Sequence, residues 1–394
     1  MKSLALFLLS NVALAADIYV SPTGSDSGDA SLTSPLKSIQ SAVNKAVAGD
    51  TIYLRGGTYS PTTNIQIKKS GTSSKPYTIK AYSTEVPIID GEALTGTPAA
   101  VGASLANSDR GILHIEGANY WKFYGITLIN GPYGVYHRDS SNNYYERIVT
   151  HDNYETGFHM QGSSANNQVV YLDSYLNRDP RKNGESADGF ACKEGSGTGN
   201  VLSGARLWNN VDDGLDLWEF KSAITIKDTL SWGNGVNRWG FTDFEGDGNG
   251  FKLGGGDAAD IGAANHVITN CFAFNNAAKG FTDNSQTGSF TLTRNTAWNN
   301  GDVGFKLASS TSTIKNCIAA SNKGTTTSSS QITLQGSQSA SGNSWQDGTT
   351  WKDSSFSSVD TSLVTQARQS SGKIVASSFL LPTSGKAIGA TTHW

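Results

Sequence analysis

The central part of the chain repeats a short pattern in which a glycine is followed by an apolar residue. The copies read "YGVY", "TGFH", "DGFA", "DGLD", "NGFK", "KGFT" and "VGFK", with glycines at positions 134, 157, 189, 214, 250, 280 and 304. The spacings are 23, 32, 25, 36, 30 and 24 residues, so the base period is about 23, with insertions before Gly189, Gly250 and Gly280. Such self-similarity indicates a repeat architecture.

Short alternations of β-branched and apolar residues surround these glycines, as in "HVITNCFAF" from residue 266 and "SFTLTRNTAW" from residue 289. They are typical of strands and show no helical period. An aromatic residue followed by two asparagines forms a second marker, in "LWNN" at 207–210 and "AWNN" at 297–300. A period near 23 accommodates about three short strands per turn, with rungs stacked ~4.8 Å apart. We therefore predict an all-β, right-handed parallel β-helix rather than an antiparallel sandwich.

The two ends of this solenoid differ in sequence from its middle. At the N-terminal end the segment "SPLKSIQSAVNKAVAGDTIYL" predicts a capping helix before a strand near Thr51. Its apolar residues fall on one helical face: Leu36, Ile39, Val43, Ala46 and Val47. A Ser/Thr-rich run from Gly324 begins a less regular tail. We predict a β-helical domain over 17–325 and a tail over 326–394 that packs against it.

Aligning the glycines predicts which side chains share a face. The residues that directly follow the glycines form a wholly apolar column, which we expect to point inward: Val135, Phe158, Phe190, Leu215, Phe251, Phe281 and Phe305. Since side chains alternate along a strand, the following residues point outward: Tyr136, His159, Ala191, Asp216, Lys252, Thr282 and Lys306. In the column before the glycines, Asp188 and Asp213 lie one rung apart.

The segment "NNVDDGLDLWEF" at 209–220 concentrates negative charge in a chain with only 16% charged residues. The register brings four carboxylates together: Asp188, Asp212, Asp213 and Asp216. Each close pair repels by roughly 1 kcal/mol even at a water-like dielectric, so a cation is expected to compensate. An oxygen-only ligand set favours a hard ion such as Ca²⁺. An Asp-Gly pair alone is a turn signal, and we expect Asp243, Glu245 and Asp247 of "TDFEGDGNG" at 242–250 to lie in an exposed loop at the site's edge. A second cation site in this loop is the alternative.

Bulk properties narrow the class of protein further. The start "MKSLALFLLSNVALAADIYV" has a lysine, a short apolar run and small residues before Ala16, which is typical of a cleaved secretory signal over 1–16. No later segment is apolar for long enough to span a membrane. A formal charge of −3 without a basic run argues against nucleic acid as a partner. We expect a soluble, secreted monomer.

Three cysteines are few for an exported chain of 394 residues: Cys192, Cys271 and Cys317. The asparagine markers place Cys271, Asn295 and Cys317 in one column, so that two rungs, about 9 to 10 Å, separate the two cysteines. This exceeds the ~7 Å limit between Cα atoms of a disulfide. All three thiols are therefore predicted to be free.

The segment "ADGFACKEGSGTGNVLSGARLWNNVDDGLDLW" together with "GNGFKLGG" resembles the pectate lyases of polysaccharide lyase family 9, over roughly residues 110–310. The resemblance implies a right-handed parallel β-helix, a calcium ion and a catalytic lysine. Residue by residue, it matches Asp188, Asp212, Asp213 and Asp216 to the calcium ligands and Lys252 to the base. The implied substrate is an acidic pectic polysaccharide, cleaved by β-elimination.

Alternatives to cleavage of polygalacturonate remain open in the sequence. A related lyase acting on rhamnogalacturonan, a polygalacturonase-type hydrolase with aspartates as acid and base, and a non-catalytic glycan-binding β-helix all fit parts of the pattern. Four residues are candidates to bind the substrate: Arg238, Lys193, Lys279 and Trp218. Trp239 is a further candidate for stacking on a sugar ring.

Overall fold

The chain winds into a solenoid of three parallel sheets, which confirms the predicted right-handed parallel β-helix. The structure, a computed structural model, describes residues 15–98, 100–257, 260–324, 331–335 and 338–393. The predicted signal segment falls mainly on residues 1–14, which lie outside the described residues. The longest helix of the described part has seven residues, and none of its helices is long and apolar enough to cross a membrane.

Each sheet collects one strand from successive rungs. Sheet 1 contains Asp17–Val20, Thr51–Leu54, Tyr77–Ala81, Trp121–Tyr124, Tyr144–Glu146, Gln168–Val170, Asn200–Ser203, Ile224–Lys227, Val267–Thr269, Thr291–Thr293, Thr313–Lys315 and Ser339–Ser341. Sheet 2 contains Ile65–Ile67, Leu113–Glu116, Val135–Arg138, Phe158–Ser163, Phe190–Ser196, Leu215–Asp216, Phe251–Lys252, Phe281–Thr282, Phe305–Leu307 and Ile332–Leu334. Sheet 3 contains Gly57–Tyr59, Pro87–Asp90, Thr127–Ile129, Val149–His151, Asp173–Tyr175, Arg206–Trp208, Leu230–Trp232, Phe272–Phe274, Thr296–Trp298 and Ile318–Ala320.

The remaining regular elements are short. The α-helices are Ile39–Lys45 and Ser362–Thr365, and the 3₁₀-helices are Asn107–Asp109, Pro180–Lys182, Ser344–Gln346 and Asp353–Ser355. Strand pairing continues to Ser341, past the predicted boundary at residue 325.

The register of sheet 2 agrees with the glycine alignment in every rung. Phe158 pairs with Phe190, which pairs with Leu215, and Leu215 pairs with Phe251. These side chains are almost fully buried in the solenoid core, where rings of successive rungs stack with centroids 4.6 Å apart for Phe251 and Phe281. Because the inward column is fixed by this packing, the outward column is fixed as well.

The asparagine pairs have two distinct roles in the turn from sheet 3 to sheet 2. The first asparagine of a pair adopts a left-handed backbone, with φ of 56° at Asn209 and 52° at Asn299, a region that asparagine tolerates well. The second points inward and joins a ladder. Asn234 Oδ1 accepts bonds from the N–H and side chain of Asn210, and its Nδ2 donates to Asn276 Oδ1 at 2.9 Å. The ladder satisfies buried backbone groups of consecutive turns.

The N-terminal helix Ile39–Lys45 covers the first strand of sheet 2. The Gln40 side chain accepts from Gln66 N–H at 2.7 Å and donates to Gln66 C=O at 3.2 Å, which satisfies an open strand edge. Leu36, Ile39 and Ala46 are buried as predicted, but the prediction for Val47 was wrong, since it is 56% exposed. The helix ends at Lys45, so the helical face does not extend that far.

The C-terminal part of the chain runs along the outside of sheet 3. There Trp351, Phe356, Val364, Ile374, Phe379 and Leu380 form an apolar cluster with Leu230, Trp232, Phe272, Phe274 and Trp298. Arg368 Nη2 also lies 2.6 Å from Asp173, which pairs with Arg206 of the solenoid. The aromatic residues of the "LWNN" and "AWNN" markers thus contribute to this second core rather than to a binding surface.

The three cysteines are buried and free, as predicted. Cys271 N–H donates to Asn295 Oδ1, and Asn295 N–H approaches Cys317 Sγ at 3.4 Å, so the three residues share one inward column.

We predict that removing one rung of the asparagine ladder destabilises the solenoid. Asn234→Ala leaves polar groups of Asn210 and Asn276 buried without partners, so it should lower the free energy of unfolding by about 2 kcal/mol or more. Urea denaturation followed by circular dichroism measures this change. Asn265→Ala removes one bond from an exposed asparagine and serves as the control, with an effect of about 0.5 kcal/mol or less. Equal midpoints for the two variants would contradict the role of the ladder.

Candidate active site

The four predicted aspartates converge on the outer side of sheet 2 and the turn that precedes it. Asp216 pairs with Lys252 on the next strand, while Asp188 and Asp213 precede the glycines of neighbouring rungs. All four carboxylates are buried. Oxygens of Asp188, Asp213 and Asp216 lie within 4.8 Å of one another.

Lys193 joins two of these carboxylates. Its Nζ lies 2.8 Å from Asp188 Oδ2 and 2.7 Å from Asp216 Oδ2. Lys193 follows Ala191 by two residues, so it points to the same outer face one rung before Asp216. It was predicted to bind substrate, whereas its contacts in this structure are with the acidic cluster.

Lys252 approaches the cluster from the following rung. Its Nζ is 3.3 Å from Asp213 Oδ2, 3.5 Å from Asp216 Oδ2 and 2.8 Å from Asp247 Oδ2. The same ammonium lies 5.5 Å from the centre of the Trp218 ring, a cation–π distance. Lys252 is thus held by carboxylates while its outer side faces the cleft.

Asp247 was expected to lie in an exposed loop at the edge of the site, and in the structure it also contacts the site residues directly. Its side chain is 56% exposed, but its carboxylate contacts Lys252, and its N–H donates to Asp212 Oδ1 at 2.6 Å. Asp247 forms a second oxygen group with Asp212 and Asp213. The 36-residue spacing before Gly250 was the sequence signal that an inserted loop reaches the site.

Burial and like charges make most of these carboxylates weaker acids than usual. Burial, with the charges of Asp216 and Asp213 and against the opposing Lys193 ammonium, raises the pKa of Asp188 to about 7. Burial also raises the pKa of Asp213 to about 6 and that of Asp212 well above its ordinary value. Simultaneous ionisation of Asp188, Asp212 and Asp213 is therefore unfavourable in the folded protein.

Asp216 behaves differently from Asp188, although both contact Lys193. Burial opposes the ionisation of Asp216, but the ammonium groups of Lys193 and Lys252 outweigh burial and hold the pKa of Asp216 below its ordinary value. The Oδ1 atom of Asp216 also accepts a hydrogen bond from the backbone N–H of Trp218 at 3.0 Å. Lys252 shows the opposite balance. Burial disfavours its charged form, but the surrounding carboxylates, with Asp216 and then Asp213 contributing most, outweigh burial and raise the pKa of Lys252 strongly.

The cluster fits a hard cation. Four carboxylates, those of Asp188, Asp213, Asp216 and Asp247, pair with two ammonium groups, and the Asp212 carboxylate lies beside them. When these five groups are ionised, negative charge is in surplus. Asp213 Oδ2 is buried and makes no hydrogen bond within the described part of the chain, and its ion-pair distance to Lys252 Nζ is long at 3.3 Å. Oxygen-only donors around an orphaned buried oxygen match the preferences of Ca²⁺. Asp188, Asp212, Asp213 and Asp216 are the residues that could hold it.

A cleft of about 590 Å³ opens beside the cluster. Its walls include the insertion loops that carry Arg181 and Asp247, and its floor includes His159, Asp216 and Lys252. Tyr133, Thr156 and Arg110 also line it. Of these lining residues, His159, Asp216 and Lys252 belong to the outward column of the repeat, and Tyr133 and Thr156 directly precede repeat glycines. Arg110 and Arg181 follow no repeated pattern, so no sequence signal marks them.

Two of the predicted substrate-binding residues lie in the cleft and two do not. Lys193 and Trp218 line it. Arg238 is outside its lining and donates to Asn209 Oδ1 at 2.8 Å, while Lys279 lies 3.8 Å from Asp302. Trp239 stacks with Phe241 in the same outer loop as Arg238. Arg238 and Lys279 lie outside this lining, and their role in substrate binding stays a prediction.

Comparisons with known proteins agree with this architecture. A family model described as the Pel9A-like, right-handed β-helix region matches residues 18–322. Pectate lyase PEL9 of Emericella nidulans is 64% identical over 397 residues, covering 97% of this chain and 96% of that protein. Pectate lyase L of Dickeya chrysanthemi is 33% identical over 398 residues, covering 98% and 88%.

Solved structures of two polysaccharide lyases have a similar fold. The crystal structure of pectate lyase Pel9A superposes with a TM-score of 0.78 at 29% identity, covering 96% of this chain and 91% of that one. A rhamnogalacturonan lyase also gives a TM-score of 0.78, at 25% identity, with coverage of 94% and 97%.

The fold, the acidic cleft and these relatives define the class of the protein, which is a β-helical polysaccharide lyase. Within that class the chain belongs to the Pel9A-like right-handed β-helix family, which confirms the resemblance seen in the sequence.

We predict that binding of calcium by the cluster releases protons. With pKa values raised to about 7 at Asp188 and about 6 at Asp213, these groups are partly protonated near pH 6, whereas a bound cation needs them ionised. About one proton or more should leave per ion at that pH, and the apparent affinity should rise towards pH 8. Isothermal titration calorimetry in two buffers of different ionisation enthalpy measures this release. Asp188→Asn should release fewer protons, and equal heats in both buffers would contradict the prediction.

Proposed function

We propose that the protein is a secreted, calcium-dependent pectate lyase that cleaves (1,4)-linked galacturonan by β-elimination and leaves 4,5-unsaturated ends. The observation that carries this proposal is the position of Lys252, whose ammonium lies between the converging carboxylates and the open cleft. The relatives named as pectate lyases, one of them 64% identical, support the same substrate.

In this mechanism Lys252 is the general base. Its Nζ takes the C5 proton of a galacturonate unit, the C4–O4 bond breaks as a C4–C5 double bond forms, and the departing O4 takes a proton from solvent. Lysine can accept a proton only when neutral. With the carboxylates uncompensated, its raised pKa keeps Lys252 protonated, so the base requires an arrangement in which their charge is balanced.

We propose Asp188, Asp212, Asp213 and Asp216 as the ligands of calcium. An ion held by these residues would supply positive charge that makes the C5 proton of a bound uronate more acidic. Asp216 contacts Lys252 from the ligand side, so the same residue couples charge at the cation site to the protonation of the base. The Trp218 ring lies 5.5 Å from the Lys252 ammonium, a cation–π distance that favours the charged form of the lysine.

A second substrate is favoured by one observation. The rhamnogalacturonan lyase with a TM-score of 0.78 shows that the same scaffold also occurs in a protein named for that polymer. Cleavage of galacturonan is preferred here because the more similar relatives are named for pectate. Secretion is proposed from the N-terminal segment over 1–16, and a monomer from the covered solenoid end.

The proposed reaction predicts a metal-dependent ultraviolet signal. On polygalacturonate with calcium, absorbance should rise as conjugated double bonds form, and excess chelator should abolish the rise. Rhamnogalacturonan tested in parallel identifies the preferred polymer. Reducing ends formed without ultraviolet absorbance would instead indicate a hydrolase, and full activity in chelator with no metal retained would contradict the role of calcium.

Substitution of Lys252 tests the base directly. Lys252→Ala should reduce kcat by ~10²-fold or more while calcium and substrate still bind, because the base acts on the transition state. Lys252→Arg should not rescue activity, since arginine stays protonated. Lys306→Ala is the matched control, because Lys306 occupies the same outward column two rungs further on and is exposed. More than about a tenth of wild-type kcat in Lys252→Ala would contradict this assignment.

A further inference from the structure

His159 is a buried cleft residue whose ring makes no hydrogen bond to the residues that the structure describes. Only 7% of it is exposed, and neither ring nitrogen is bonded. The nearby Gln161 is already engaged, because its Oε1 lies 2.6 Å from the Tyr136 hydroxyl and its Nε2 bonds Glu194. Burying two polar atoms without hydrogen bonds costs folding free energy, and a bound ligand that bonds to them would offset this cost.

The environment of His159 keeps its ring neutral. Burial, followed by the positive charges of Lys193 and Arg110, lowers its pKa to about 3. The ring stacks on Tyr136 with centroids 5.3 Å apart and planes 11° apart, and Tyr133 packs edge-on at 5.3 Å. A neutral imidazole held in this way offers one donor and one acceptor, which suits hydroxyl groups rather than a carboxylate.

Arg110 is a positive charge without a carboxylate partner. Among the residues that the structure describes, no acidic oxygen lies within ion-pair distance of it. Its bonds to Leu105 C=O and the Tyr136 hydroxyl are long, at 3.4 and 3.5 Å. Arg110 lines the same cleft as His159, and its guanidinium carbon lies 5.6 Å from the centre of the Tyr136 ring.

These two residues lie beside the acidic cluster and not in it. His159 pairs with Ala191, which pairs with Asp216, so two rungs, roughly 10 Å, separate His159 from Asp216. The intervening side chain ends at a methyl group. A sugar chain that lies along the cleft would therefore reach His159 and Arg110 with a unit away from the scissile bond.

We propose that His159 and Arg110 form a subsite for one uronate unit of the polysaccharide, in which Arg110 binds the carboxylate and His159 binds the ring hydroxyls. The proposal rests on the proposed function, since it names where that substrate is held. A uronate is the fitting ligand because it presents a carboxylate and hydroxyl groups on one small ring, and guanidinium is well suited to carboxylate. The His159 ring is already ordered by its strand and by its stack on Tyr136, which lowers the entropy lost on binding.

Binding of tetragalacturonate tests the subsite without relying on catalysis. Calorimetry in the Lys252→Ala background with calcium should show about tenfold weaker binding for His159→Phe, which keeps the stack but loses both nitrogens, and for Arg110→Gln. His151→Phe is the control, because His151 stacks on Tyr175 outside the cleft lining, and its affinity should equal that of the parent. With methyl-esterified tetragalacturonate, Arg110→Gln should bind no more weakly than the parent.

The outcomes separate the subsite from the reaction. If both variants bind as tightly as the parent, or the parent does not bind tetragalacturonate, the subsite is overturned, whatever the wild type cleaves. If the wild type yields no unsaturated product from either polymer while the affinity losses occur, the subsite stands and the proposed function fails. Should His159→Phe not fold, as judged by circular dichroism, Arg110→Gln decides, since Arg110 is half-buried and precedes the strand Leu113–Glu116.

Discussion

The in-register pairing of parallel strands is the constraint on which the site depends. Each rung repeats the position of the one before it at ~4.8 Å, so a residue's neighbours along the axis are set by its place in the rung. The stacked apolar column of Phe158, Phe190 and Phe251 holds this register from inside, and the asparagine ladder holds it at the turn. A slip of one residue would turn the outward column inward and disperse the carboxylates.

The acidic cluster opposes the stability of the scaffold that carries it. Buried like charges raise the pKa of Asp188, Asp212 and Asp213, which means that the folded protein disfavours their ionised forms. Lys193 and Lys252 relieve part of this strain by direct contact. A rigid solenoid can tolerate such a site because its core and its ladder lie on the other side of the strand, unaffected by the charges outside.

The irregular parts of the chain determine where a polymer can bind. The C-terminal tail covers sheet 3 with an apolar cluster. The outer face of sheet 2 stays accessible as a cleft, and the insertions before Gly189 and Gly250 form its walls with Arg181 and Asp247. The repeats thus form the floor of the site, and the insertions between them form its walls.

The sequence by itself determined the solenoid, the inward and outward columns, and the convergence of the four aspartates with Lys252, because strand alternation and a fixed period are local rules that can be counted along the chain. It also identified the buried, unpaired thiols. Only the tertiary structure decided that Lys193 bridges Asp188 and Asp216, that Asp247 reaches Lys252, and that Arg238 and Lys279 lie outside the cleft. The position of a loop depends on contacts between residues far apart in sequence, and no period encodes them. The protonation of buried groups such as His159 depends likewise on what surrounds them in three dimensions.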